Sequence, residues 1–220
     1  MIEIKQYKIE EDKEEFCQAL ANYDLAKIKE FILTRNVNPN NPVSGTASPL
    51  YFISSYVGFG SLKRSGKNFE DLYTIIKFLT KHGARLSGDH KSIHLFIQNY
   101  CNQSDQRCYK IAVSEELMIK TLKSLLTAGG VANGLALQSA VSNERSLKFV
   151  KFLVRKGASA IGDTLILRSL INRGWSRKLT EKEYEMIDFF IAQGADVNGA
   201  SSYNRISTLC EAARCHDFRS

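Results

Sequence analysis

One short phrase recurs five times along this chain and constrains its fold more than any other feature. The fullest copy is DFFIAQGADVNG, Asp188 to Gly199: the end of an apolar helix, a glycine, and a short polar tail. Weaker copies are FILTRNVNPN (31–40), FLTKHGARLS (78–87), LLTAGGVANG (125–134) and FLVRKGASAI (152–161). Five positions before the glycine (Asn36 in the first copy) stand Phe31, Phe78, Leu125, Phe152 and Phe189. Four before it stand Ile32, Leu79, Leu126, Leu153 and Phe190, and eight before it Ile28, Ile75, Leu122, Phe149 and Met186. Spacings of three and four put these positions on one stripe of a helix. Gly83, Gly130, Gly157 and Gly194 then sit where a helix stops on a left-handed residue, with Asn36 as the non-glycine substitute. A pattern repeated this often is a unit of architecture.

Each phrase closes the second helix of a pair. The first helices carry Phe16, Ala19 and Leu20, then Leu50 and Ile53, Ile93 and Phe96, Leu137 and Ala140, Leu167 and Leu170, and Leu209 and Ala212. Asp12 with Glu15 reads as the capping box that starts the first of them. Second helices are predicted to start at Asp24, at Asn68 or Asp71, at Ser114, at Asn143, and at Thr180 with Glu183 as a further box. The alternation of Ile2, Ile4, Tyr7 and Ile9 predicts a short strand or an extended leader over residues 1–12.

Gly194-Ala195-Asp196-Val197-Asn198 after an apolar helix, and Gly45-Thr46 followed by Ser48-Pro49-Leu50-Tyr51 before one, resemble the two signatures of the ankyrin repeat family. The resemblance covers residues 16 to 213. It implies an all-α, ankyrin-type helical-pair solenoid with β-turn fingers and a concave face that binds proteins. The repeats fall at about 13–40, 46–88, 90–134, 135–162 and 163–199, with a partial repeat at 204–220. That is five repeats plus a half repeat in a single domain, 1–220. The half repeat, which lacks a second helix, suggests a fragment of a longer protein.

Departures from the family are informative. From the glycine to the next opening residue the family uses about 14 residues, and here the counts are 14, 10, 7, 10 and 15. The three central fingers are therefore shortened. From opening residue to glycine the family uses about 19, whereas 50 to 83, 93 to 130 and 167 to 194 span 33, 37 and 27. The added length lies between the two helices, at Val57–Asp71, Tyr100–Ser114 and Arg173–Thr180.

These inserts hold the candidate partner-binding residues: Phe59, Lys63, Arg64 and Lys67; Arg107, Tyr109 and Lys110; Arg173, Trp175, Arg177 and Lys178. Basic groups interleaved with aromatics suit acidic protein patches, phosphates or stacked bases. The alternative is that loops are polar and that an aromatic in a long loop pins it to the body.

Composition narrows the remaining choices. At 44% hydrophobic and 24% charged the chain is that of a soluble folded protein. Three prolines make no linker, no segment is long and apolar enough to span a bilayer, and the N-terminus lacks a signal-peptide core. Five irregularly placed cysteines point to reduced thiols in a cytoplasm. His94, Cys101 and Cys108, and Cys210, Cys215 and His216, lack the close pairing of zinc ligands, so no metal is expected. No G-x-S-x-G, phosphate loop, H-E-x-x-H or dinucleotide fingerprint is present, so neither catalytic residues nor a cofactor are expected. A pI near 9.1 keeps nucleic acid or phosphate as the rival ligand, but the lysines are scattered among 23 acidic residues. The reading is a non-catalytic protein-interaction module for a partner with an acidic surface. Its irregular repeats are similar to the ankyrin proteins that intracellular bacteria and large DNA viruses deliver into host cells. That resemblance implies the targeting part of an effector acting in a host cytosol.

Overall fold

A computed structural model describes residues 2–86, 91–101, 113–175, 178–199 and 207–217. It is all-helical, 65% helix, with no strand among the described residues. The chain divides into two compact units, Met1–Val131 and Ala132–Ser220.

The first unit begins with α1, Ile2–Ala21. The predicted extended leader is therefore helical, and Asp12 lies inside the helix rather than at its start. Residues 2–15 hold Glu, Lys and Gln at most positions outside the isoleucines, and these strong helix formers override a weak alternation. Asp12 and Glu15 instead reach Arg35 at 2.5 and 3.2 Å, where Glu30 adds a third carboxylate at 2.7 Å. α2 (Leu25–Lys29) starts at Asp24, whose side chain accepts from the Lys27 N–H, and continues as a π-turn over Glu30–Thr34. Next come α3 (Pro49–Tyr51), continuing as a second π-turn over Phe52–Tyr56, α4 (Phe59–Arg64) and α5 (Phe69–Lys81). α6 (Ser92–Cys101) and α7 (Glu115–Thr127) complete the unit. Asn68 and Asp71 form a reciprocal capping box on α5, and Ser114 caps α7, both as predicted. In the long connection before α3, a tight turn at Gly45 (φ +54°) brings the Val43 N–H to the Ala47 carbonyl at 2.8 Å.

The second unit contains α8 (Gly134–Ser142), α9 (Leu147–Arg155), α10 (Leu165–Ile171) with a 3₁₀ turn at Asn172–Trp175, α11 (Glu181–Ala192) and α12 (Thr208–Asp217). Asn143 does not start α9. It is buried at the end of α8, donating to the Ser139 carbonyl at 2.8 Å, and Ser146 caps α9 instead. Thr180 and Glu183 form the predicted box, with Glu183 accepting from the Thr180 N–H at 2.8 Å and its hydroxyl at 2.9 Å.

The helix ends show why the phrase repeats. After α5, α7, α9 and α11 the same pair of bonds closes the last turn. Gly83, Gly129, Gly157 and Gly194 donate three residues back, at 3.0 to 3.2 Å. The following residue donates five back: Ala84 to Leu79, Gly130 to Leu125, Ala158 to Leu153 and Ala195 to Phe190, at 3.0 to 3.1 Å. This is the Schellman closure, and it requires the left-handed conformation at its turn residue. After α2 the π-turn adds a residue, so Val37 beyond left-handed Asn36 reaches Phe31 instead. First helices end in the same way without glycine: Tyr23 (φ +54°) after α1 and Glu144 (φ +54°) after α8.

Two registers differ from the sequence expectation. In the Gly129-Gly130 copy the left-handed residue is Gly129 (φ +104°), one place earlier than predicted. Counted from it, Leu125 joins Ile32, Leu79, Leu153 and Phe190, and all five are buried, while Leu126 is only half-buried. Thr121 then takes the buried place of Ile28, Ile75, Phe149 and Met186, its hydroxyl satisfied by the Leu117 carbonyl at 2.9 Å. Gly130 must also be small, because a Cβ there would meet Ile93 Cδ1 at 2.8 Å. In α12 the buried residues are Thr208 and Glu211, whereas Leu209 is 60% exposed. Glu211 faces Arg168 of α10 at 2.8 Å, and that pairing draws the polar side of α12 inward.

Candidate interaction surface

The first insert is a folded appendage. Leu62 of α4 and Phe69 at the start of α5 are buried, and Gly66 (φ +68°) turns the chain between them, with the Lys67 N–H on the Leu62 carbonyl at 3.0 Å. The burial of these two apolar side chains leaves Lys63 and Arg64 exposed in the last turn of α4 and Lys67 half-buried beyond it. Arg64 Nη2 donates to Ser61 Oγ at 2.8 Å along its own helix. Phe59 opens α4.

Beneath this insert lies a buried tyrosine pair that the sequence reading did not single out. Tyr23 and Tyr100 are 1% and 4% exposed, with their hydroxyl oxygens 3.0 Å apart. Tyr100 donates toward the Ile53 carbonyl at 2.7 Å and lies close to that of Val57; Tyr23 reaches the Gly58 carbonyl at 3.3 Å. These carbonyls end the Phe52–Tyr56 turn, so the phenols supply the donors that a helix C-terminus needs. Burial pushes the Tyr23 hydroxyl up to about 12 and that of Tyr100 well above its ordinary value. Asn99 Nδ2 adds a bond to the Ser55 carbonyl at 2.6 Å. The start of the insert is thereby fixed to α1 and α6.

In the second insert, Arg107, Tyr109 and Lys110 lie outside the described residues. In the third, Trp175 ends the 3₁₀ turn, Arg177 lies outside the described residues, and Lys178 is exposed. Arg173 is turned into the second unit: Nη1 stands 3.3 Å from Glu183 Oε1, and Nη2 donates to the Val141 carbonyl at the end of α8. Its side chain is 19% exposed. Arg173 thus ties α8 to the start of α11. Of the described basic insert residues, Lys63, Arg64 and Lys67 belong to the first unit and Arg173 and Lys178 to the second.

Among the described residues, the groups weighed for chemistry are dispersed. His82 packs on Phe78 with its Nδ1 2.8 Å from that residue's carbonyl oxygen. Cys17 is half-buried, and burial followed by the charge of Glu14 pushes its thiol upward, away from the thiolate form. Among the described residues, no three His, Cys, Asp or Glu side chains converge as metal ligands. Among them, too, no helix is long and apolar enough to cross a membrane.

A second surface lies on the outer sides of α9 and α11. Leu147, Val154 and Phe189 floor a groove of about 530 Å³, rimmed on the α9 side by Lys148, Lys151 and Arg155. Lys151 Nζ sits 5.5 Å from the centre of the Phe189 ring. The signal was present in the sequence: cations at spacings of three and four on the face of α9 opposite Phe149, Val150 and Leu153. No family model, no curated protein and no solved structure matches this chain.

Proposed function

We propose that this chain is an ankyrin-type helical-pair module that binds another protein without catalysing a reaction. The observation that carries the reading is the recurrence of one Schellman closure after α5, α7, α9 and α11, each preceded by the same buried stripe. Repeated units of that kind cannot bury their apolar faces alone; stacking buries them and leaves extended surfaces that serve recognition. The turn at Gly45 supports one finger, and the order of the first insert supports a surface presented by the inter-helix edge. Lys63, Arg64 and Lys67 there, with Lys178 in the second unit, suit an acidic partner. The irregular repeat lengths support a place among host-directed ankyrin proteins, with the module serving as the targeting part in a host cytosol.

The test is affinity capture from eukaryotic cell lysate, split into nuclease-treated and untreated halves. The comparison bait carries Lys63→Glu, Arg64→Glu, Arg177→Glu and Lys178→Glu. One protein enriched in both halves and lost with the altered bait is the expected result. Enrichment that survives the changes moves the site to the first-helix faces, and loss with nuclease alone makes nucleic acid the ligand.

A further inference from the structure

Resting on that protein-binding reading, we infer that the groove between α9 and α11 seats an amphipathic helix of a partner protein. This occupant is acidic along the edge over α9 and inserts apolar side chains beside it. The floor is apolar, formed by Leu147, Val154 and Phe189, and its volume of about 530 Å³ suits a few side chains. Lys148, Lys151 and Arg155 are exposed, and among the described residues none of the three is in an ion pair. Arg155 Nε donates only to the Lys151 carbonyl, at 3.3 Å. Spaced three and four apart, they run roughly 10 Å along α9, the length over which carboxylates two turns apart on another helix come opposite them.

The α11 side of the groove is lined by Phe189 and Gln193. A cation row beside an apolar lining decides the class of ligand. A polyanion attracted by α9 gains nothing from an apolar floor. A polypeptide helix can present carboxylates to the α9 rim and leucine-sized groups to the floor, which is the helix-in-groove mode of recognition. Lys151 over Phe189 keeps the apolar floor and the charged rim in register, so anchoring and charge pairing occur together.

The probe is a synthetic helical peptide with Glu two turns apart on one edge and a Leu stripe beside it, titrated into the full chain with ¹⁵N–¹H NMR as readout. Expected are shifts confined to the amides of α9 and α11 around Lys151 and Phe189. A chain bearing Lys148→Glu, Lys151→Glu and Arg155→Glu should bind about tenfold more weakly, and a peptide with every Glu replaced by Lys should not bind. No groove shift at millimolar peptide overturns the inference. So do equal shifts with the Lys-only peptide, stronger shifts there with a single-stranded oligonucleotide, or concentration-dependent shifts without peptide, which would make the occupant a second copy. Peptide shifts at Lys63, Arg64 and Lys67 instead of the groove would refute this site and leave the protein-binding reading intact. Binding by the oligonucleotide alone would refute both.

Discussion

Raising the pH from 9 to 11 should destabilise this protein's first unit through two buried phenols. Tyr23 and Tyr100 both hold their hydroxyl protons more tightly folded than unfolded, because burial penalises the phenolate. Such groups stabilise the fold fully below the ordinary tyrosine value near 10, and the stability is lost as pH rises from there toward the folded value. For Tyr23, raised to about 12, the linkage relation gives a loss of about 1 kcal/mol between pH 9 and 11. Tyr100, raised well above its ordinary value, adds to the loss in the same direction. Urea unfolding at both pH values measures the loss, and the chain with Tyr23→Phe and Tyr100→Phe isolates it from other titrating groups. The double variant should start about 1–3 kcal/mol less stable at pH 9, having lost bonds to the Ile53 and Gly58 carbonyls. It should then lose at least about 1 kcal/mol less than the parent on going to pH 11. Equal losses in the two chains, or tyrosinate absorbance from both phenols in the folded chain at pH 10, would refute the reasoning.

Three further outcomes are expected. Gly129→Ala should cost about 2–4 kcal/mol, because it joins a left-handed penalty to a Cβ 2.8 Å from the Leu86 carbonyl oxygen; Gly83→Ala, open around its Cβ, should cost only about 1–2 kcal/mol, both by urea denaturation. Arg173→Met should destabilise the second unit by about 2–4 kcal/mol, because Glu183, 7% exposed, would lose the Arg173 guanidinium and the Val141 carbonyl a donor; Lys178→Met should stay within about 0.5 kcal/mol. Leu122→Ala should cost about 2–5 kcal/mol and Leu209→Ala less than about 0.5 kcal/mol, and equal costs would overturn the register assigned to α12.

The sequence by itself determined the helices and most of their ends. Stripe spacing marks Ile28, Ile75, Phe149 and Met186 as core. The glycines at 83, 157 and 194, and the caps at Asp24, Asn68, Ser114 and Thr180, are local chemistry satisfying local backbone groups, so each is legible from a few neighbouring residues. Choices between adjacent residues needed the tertiary structure. Both Gly129 and Gly130 must be small because their neighbours are Leu86 and Ile93, more than thirty residues away in sequence. Thr208 and Glu211 face inward because Arg168 on another helix is there to pair. Tyr23 closes a helix without glycine, where its burial and its bonds to Tyr100 and Gly58 outweigh intrinsic preference. The same limit governs the candidate surfaces. Composition could place Arg173 in a basic loop, but only the approach of Glu183 and the Val141 carbonyl makes it a structural tie. The cations of α9 were readable as an exposed helical face, whereas the groove beside them exists only because Phe189 of α11 packs against that face. Local bonds set the helices; distant side chains decide which atoms meet between them.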